Sequence, residues 1–180
     1  MELAAGRPNA KLRAALARFD LADIIAPHPV ADPSLAAACH AGLWLAHNDL
    51  DESHTISQGI HSPTGSFWHG IMHRREGDFD NACYWFRRVG EHPVYKELAR
   101  AAAACAATAD GPAVLHKLTR GSGWDAEGFV DVVRQAVSGT LTASAVTVCR
   151  RIARREWEGL FEFCYRGATG NAGPLPGQRT

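Results

Sequence analysis

Two histidines four residues apart, followed by a glutamate, form the pattern in this chain that most directly indicates chemistry. In the segment SFWHGIMHRREGDFD the histidines are His69 and His73, and the acid is Glu76. On an α-helix, residues at i and i+4 lie on one face with Cβ atoms about 5–6 Å apart. Two imidazoles near a carboxylate suit Zn, Fe or Mn. The sequence therefore predicts a divalent metal site with His69, His73 and Glu76 as ligands.

A simpler explanation of this pattern stays open. Histidine pairs at this spacing are frequent in helical proteins, where imidazoles cap helices or hydrogen-bond carbonyl groups in a polar seam. The pattern also lacks the glutamate that an HExxH metalloprotease carries directly after its first histidine, because Gly70 follows His69. An HExxH metalloprotease is therefore excluded, whereas other metal sites are not.

A second candidate is the acidic run DLDESH at residues 49–54, which ends in a histidine. A carboxylate beside an imidazole raises the pKa of the ring and can orient it as a general base. We therefore predict Glu52 and His54 as catalytic residues. Asp51 is expected to cap a helix instead, and Glu52 has the alternative role of a first-turn charge favoured by the helix dipole.

Two arginines directly follow the paired histidines. Arg74 and Arg75 are the candidate cofactor-binding residues, because a guanidinium can hold a carboxylate or phosphate through two parallel hydrogen bonds. The more frequent role of such arginines is an ion pair with a neighbouring acid. The acids nearest to them in sequence are Glu76, Asp78, Asp80 and Glu91.

All of these candidates fall within residues 40–93, whose composition differs from the rest of the chain. This stretch holds seven of the nine histidines, three of the five tryptophans and a net formal charge of −3, in a protein whose net charge is zero. The flanking sequence is mostly alanine-rich with the periodicity of amphipathic helices. A chemical centre is therefore expected in this central segment.

Helical periodicity dominates the chain, and no long segment shows the alternation of a strand. The helices predicted for the central segment are 34–46, 51–60 with Asp51 as N-cap, a helix capped by Ser66 that ends at Gly77, Asp78 or Asp80 to Gly90, and Pro93 to Ala107. Further helices are predicted after Asn9, after Asp125 and from Ala143 to Arg166, with a glycine-containing connection over 109–123. The predicted fold is all-α: a single domain over residues 1–166, with about seven or eight helices packed as antiparallel hairpins, and a flexible tail over 167–180.

The segment 66–93 resembles a tetratricopeptide-type helical hairpin. The residues that carry the resemblance are Trp68, Ile71, Gly77-Asp78-Phe79, Ala82, Phe86 and Pro93. The resemblance implies a tight turn at Gly77 between two closely packed helices. It covers one repeat, and no second copy occurs at a 34-residue period, so a repeat array is not expected.

A longer core is similar to a family of microbial proteins to which no activity is assigned. The strings that carry this similarity are GLWLAHNDLDESHTISQ, SFWHGIMHRREGDFDNACYWFRRVGEHPV, WDAEGFVDVV and REWEGLFEFCY, which span most of residues 42–165. The similarity implies a shared fold and no particular reaction.

Bulk composition excludes several partner classes. The chain has 180 residues, with 19 basic and 19 acidic ones, which gives no electrostatic reason to expect nucleic acid or an anionic membrane. The N-terminal segment has no apolar secretory core. Five cysteines without a CxxC pair are typical of reduced thiols, which indicates a cytoplasmic protein. No phosphate loop, dinucleotide fingerprint or GxSxG elbow occurs.

Two hypotheses of different class follow. The first is a pocket that binds a small molecule or a divalent metal ion, built from Glu52, His54, His69 and His73, with or without catalysis; metal-free general acid–base chemistry would use the same site. The second is an interaction module that holds a partner helix or peptide on the tetratricopeptide-like hairpin. The first requires the side chains of 47–54 and 69–76 to meet in space.

Overall fold

The computed structural model describes residues 1–106, 118–120 and 123–171, and these form the predicted all-α single domain. The described part of the chain contains nine helices and one small antiparallel hairpin, in which Thr119 pairs with Trp124. The helices are α1 (Ala10–Leu16), α2 (Leu21–Ile25), α3 (Pro33–Ala46), α4 (Leu50–Gln58), α5 (Pro63–Glu76), α6 (Phe79–Val89), α7 (Pro93–Ala106), α8 (Ala126–Val137) and α9 (Ala143–Thr169); the strands are β1 (Thr119–Arg120) and β2 (Gly123–Trp124).

The start of α5 lies four residues before the predicted one, because its N-cap is Ser62 and not Ser66. Pro63 occupies the first turn, where its missing N–H costs nothing, and the hydroxyl of Ser62 accepts a hydrogen bond from the N–H of Gly65. Ser66, predicted as the cap, is buried inside the helix. The prediction was wrong because Ser-Pro is a stronger start signal than a lone serine.

The start of α4 also differs from the prediction. Leu50 is its first residue and Asp49 its N-cap, so Asp51 lies in the first turn. Asp49 makes no side-chain cap because its carboxylate accepts from Arg13 on α1 instead. Asn48, at φ 64°, reverses the chain between α3 and α4. The predicted break between two helices is therefore present, and α4 begins two residues earlier than the N-cap prediction at Asp51 implies.

α5 and α6 form the predicted antiparallel hairpin around Gly77. This glycine has φ 92°, a conformation that disfavours other residues, and its N–H donates to the carbonyl of His73. Asp78 then caps α6 by accepting from the N–H of Asn81 at 3.2 Å. The helices approach closely at Gly70, where a Cβ atom would lie 3.2 Å from the ring of Phe86.

The long helix α9 packs against α3, α7 and α8. Among the largest side chains in the core are Trp68, Phe129 and Leu160, each fully buried. α9 continues to Thr169, three residues past the predicted end, because the carbonyl of Ala168 accepts from two N–H groups that precede α3. The packed domain thus includes the start of the predicted tail.

Parts of three predicted segments lie outside the described residues. The residues outside are 107–117, which include the last residue of the predicted helix from Pro93 and most of the predicted connection over 109–123, then 121–122 of that connection, and 172–180 of the predicted tail. No helix in the described part of the chain is both long and apolar enough to cross a membrane.

Candidate metal centre

Three histidines from two helices meet on one side of the hairpin. His69 and His73 lie on the same face of α5, with ring centroids 4.9 Å apart, and His54 on α4 faces them edge-on. Its ring centroid lies 4.6 Å from that of His69 and 5.4 Å from that of His73. One nitrogen from each ring lies within 4.8 Å of the others, and His54, His69 and His73 form a metal-binding candidate group among the described residues. We call these three residues the histidine cluster.

Burial keeps the two α5 histidines neutral near pH 7. His69 is 2% exposed and His73 6% exposed, whereas His54 is half-buried. Burial, reinforced by the neighbouring rings of His73 and His54, lowers the pKa of His69 from 6.5 to about 4. Burial also lowers the pKa of His73, against an opposing effect of Glu76. Neutral imidazole is the form whose lone pair binds a metal.

Glu76 contacts the histidine cluster through His73 alone. Its Oε2 atom lies 3.1 Å from Nδ1 of His73, and its side chain is 50% exposed. Because a carboxylate only accepts, Nδ1 of His73 carries the proton and Nε2 keeps its lone pair. Glu76 was predicted as a ligand, yet it occupies the position of a residue that orients a ligand.

Helix α6 covers the ring faces of both α5 histidines. Trp85 stacks on His69 with ring centroids 3.9 Å apart and an interplanar angle of 14°. The side-chain nitrogen of Asn81 lies 3.1 Å from Nε2 and 3.5 Å from Nδ1 of His73. Nearly equal distances to both ring nitrogens place the amide over the ring, out of line with either lone pair.

Sequence reasoning missed Asn81 and Trp85, although a signal existed. His69 and Trp85 lie eight residues on either side of Gly77, and His73 and Asn81 lie four residues on either side. In an antiparallel hairpin, residues equidistant from the turn lie at the same height, and they contact each other where both are on the facing sides of the helices. The predicted turn at Gly77 therefore indicated that Trp85 lies near His69 and Asn81 near His73.

Glu52, predicted as the catalytic partner of His54, lies apart from the histidine cluster. Residues two apart on a helix point about 200° away from each other, so the two side chains diverge. The carboxylate of Glu52 accepts from Arg13 at 2.9 Å. Glu52 is thus engaged by Arg13, and the Glu52–His54 acid–base pair stays a prediction.

Arg74, predicted to bind a cofactor anion, is buried in an ion pair with Glu156 on α9. Both ends of its guanidinium donate to the carboxylate, and one of these bonds is 3.1 Å. Arg74 is 2% exposed and Glu156 fully buried, with the guanidinium also 4.7 Å from the ring centroid of Phe129. This arginine joins α5 to α9, so its predicted binding role is wrong.

Arg75 is equally committed to the fold. It is 3% exposed and donates to the carbonyl oxygen of Leu45 and to Oδ1 of Asn48, where α3 ends. Burial, together with the adjacent charge of Arg74, lowers its pKa to about 10. A cation near the C-terminus of a helix is favourable. Neither arginine faces the histidine cluster, because both are used to fix α5 against its neighbours.

A separate groove of about 1000 Å³ lies between α7 and α9, away from the histidine cluster. Leu98 and Phe161 contribute to its apolar wall, with Arg155 and Glu158 among its charged lining residues. The groove contains none of the clustered imidazoles and adds no chemical group to them.

Comparisons with protein-family models, with curated proteins and with solved structures found no match. The tetratricopeptide resemblance and the similarity to a microbial family therefore stay predictions. The geometry of the histidine cluster is the basis for any functional proposal. Three imidazoles from two helices, those of His69 and His73 buried and that of His54 half-buried, are able to bind a metal ion or to exchange protons.

Proposed function

We propose that the protein binds a divalent transition-metal ion through His54, His69 and His73, with Glu76 orienting the ring of His73. The observation that carries this proposal is the convergence of three imidazole nitrogens within 4.8 Å. Nitrogen donors of this kind suit Zn²⁺, Fe²⁺ and other first-row ions.

An unsatisfied group inside the histidine cluster supports the proposal. Nδ1 of His69 is buried and has no hydrogen-bond partner. A buried polar atom without a partner costs roughly 1–3 kcal/mol, a cost that domains rarely accept without a use. A bound ion would offset it by engaging the rings of the histidine cluster.

Binding would draw the rings closer together. Zn–N bonds of about 2.0–2.1 Å in a tetrahedral site place two nitrogens about 3.3 Å apart. His54 supplies most of this movement, since it is half-buried and lies on a different helix from the stacked pair. The α5 pair thus forms the fixed half of the site and His54 the closing half.

An ion held by three imidazoles keeps a position for water or a small molecule. Metal-bound water ionises near pH 7, so such a site can supply a hydroxide nucleophile. If the site is catalytic, the water at this position would be the reacting group. It would take the role that was predicted from the sequence for Glu52 and His54.

Metal titration of the purified, metal-free chain tests the proposal. Calorimetry with Zn²⁺ should give one ion per chain, and the double variant His69→Ala/His73→Ala should bind at least about 100-fold more weakly. His61→Ala is the matched control, because His61 is an exposed histidine outside the cluster and its loss should leave binding unchanged. Equal binding by the double variant, or no stoichiometric binding by the wild type, would reject the proposal.

An interaction module remains the second candidate from the sequence. It requires histidines that point outward and apart, whereas three of them converge. We therefore favour the metal site. We also propose a reducing compartment such as the cytoplasm, which is consistent with the free thiols of Cys39, Cys83, Cys149 and Cys164.

A further inference from the structure

The side chain of Asn81 occupies a position that the three histidines do not explain. It projects from α6 onto the ring of His73, with its amide nitrogen 3.1 Å from Nε2. We propose that Asn81 supplies the fourth protein ligand through its side-chain oxygen, an inference that rests on the proposed metal site. The site would then draw on α4, α5 and α6.

The charge of the ring of His73 determines which side of the Asn81 amide is favoured over it. A neutral imidazole has an electron-rich face, which favours the N–H side of the amide over it. Metal binding withdraws electron density from His73 and brings a cation to Nε2, and both changes favour the oxygen side. Rotation about the last side-chain bond of Asn81 exchanges the two, since its nitrogen and oxygen have nearly the same shape.

The backbone around Asn81 is already fixed, so ligation requires movement of the side chain alone, both a rotation of the amide and a shift from the ring face towards Nε2 of His73. Asp78 accepts from the N–H of Asn81, and Trp85 one turn later stacks on His69. The close contact of Gly70 with Phe86 holds the two helices at short distance. Pre-positioning of this kind lowers the entropic cost of binding.

A fourth ligand of this type sets the metal preference. Three imidazoles and an amide oxygen form a neutral donor set, so the bound ion keeps its full charge of 2+. An oxygen donor suits Zn²⁺, Fe²⁺, Co²⁺ and Mn²⁺ and disfavours Cu⁺, which prefers sulfur ligands. With four protein ligands in place, an exogenous ligand would add as a fifth one, and the 2+ charge favours a small anion over a neutral molecule.

Two substitutions at one position test the role of Asn81. Asn81→Asp keeps the shape and fixes an oxygen donor with a charge, so Zn²⁺ affinity should rise at least about tenfold; Asn81→Leu removes the donor, and affinity should fall about tenfold. Arg87→Gln is the matched control for Asn81→Asp, because it makes the same change in net charge at an exposed position on α6. The control should change affinity less than about twofold.

Visible absorption of the Co²⁺-loaded proteins separates ligation from a packing effect. Coordination number and ligand type determine the Co²⁺ spectrum, so Asn81→Leu should change its position and intensity while keeping one ion per chain. A wild-type spectrum and affinity in Asn81→Leu would overturn the inference and leave the three-histidine site standing. Failure of the wild type to bind Co²⁺ and Zn²⁺ would overturn the proposed function and this inference together.

Discussion

His69 and His92 are equally deep in the protein but have opposite surroundings. They are 2% and 6% exposed, and burial lowers the pKa of each to about 4. His92 precedes α7 and uses both ring nitrogens: Nδ1 accepts from the N–H of Val94 at 3.3 Å, and Nε2 lies 3.3 Å from the hydroxyl of Thr64. His69 has an unpartnered Nδ1 and neighbouring imidazoles instead.

The difference shows which property of a buried histidine indicates function. Burial and a lowered pKa are common to both sites, so neither distinguishes them. His92 is a satisfied core residue, packed edge-on against Phe67 and Phe163, with ring centroids 5.3 and 4.8 Å away. His69 is a residue whose hydrogen-bonding capacity the fold leaves unused. Unused capacity beside similar groups is the feature expected of a binding site.

Both histidines should make the folded protein less stable in acid. This loss of stability is the largest effect that we expect. The unfolded chain protonates these rings below about pH 6.5, whereas the folded chain does so only near pH 4. The stability that the neutral rings contribute is therefore complete above pH 6.5 and is lost as the pH falls toward 4. Each histidine should contribute on the order of 2 kcal/mol to this loss.

Urea unfolding of the metal-free protein at pH 7 and pH 4.5 measures this effect. The variants His69→Met and His92→Met should each lose less stability between these pH values than the wild type, by similar amounts. An acid response that neither substitution reduces would show that other groups, and not these two rings, control the acid sensitivity.

The same two substitutions should separate the sites at pH 7. Methionine in place of His92 leaves the N–H of Val94 and the hydroxyl of Thr64 without a partner, at a cost of about 2 kcal/mol. Methionine in place of His69 abandons no hydrogen bond of Nδ1 and fills similar volume, so its stability should stay within about 1 kcal/mol of the wild type. Chemical denaturation of the metal-free variants measures the two free energies of unfolding. An equal loss of stability in both variants would show that the two histidines do not differ in the way proposed.

The features of the histidine cluster that depend on a single helix or a single turn could be predicted from the sequence. Spacing placed His69 and His73 on one face, and Gly77 followed by Asp78 predicted the turn that brings α6 over them. Helical geometry alone would also have separated Glu52 from His54. These features depend on residues close in the chain, where local geometry leaves few alternatives.

The remaining features depend on packing between distant segments. Arg74 finds its acid 82 residues away on α9, although several acids lie nearer in sequence. The direction in which α4 presents His54 depends on the reversal at Asn48, which Arg75 holds by a hydrogen bond. Neither contact has a periodic pattern in the sequence, so neither was predictable without an arrangement of helices.

Glu76 provides the smallest and most discriminating test of the histidine cluster. Its carboxylate fixes the tautomer of His73 from a half-exposed position, so solvent should weaken its influence. We expect Glu76→Gln to lower Zn²⁺ affinity about threefold to tenfold, at the low end of what such orienting residues contribute, because the amide oxygen still accepts from Nδ1–H.

Calorimetric titration of Glu76→Gln beside Glu91→Gln, an exposed glutamate past the end of α6, controls for the change in net charge. A loss above about 100-fold would mean that Glu76 binds the ion directly, as the sequence pattern suggested. Equal affinities in the two variants would mean that the ring of His73 is held by α6 alone. The orienting role requires the intermediate result, because only a residue that acts through His73 weakens binding without abolishing it.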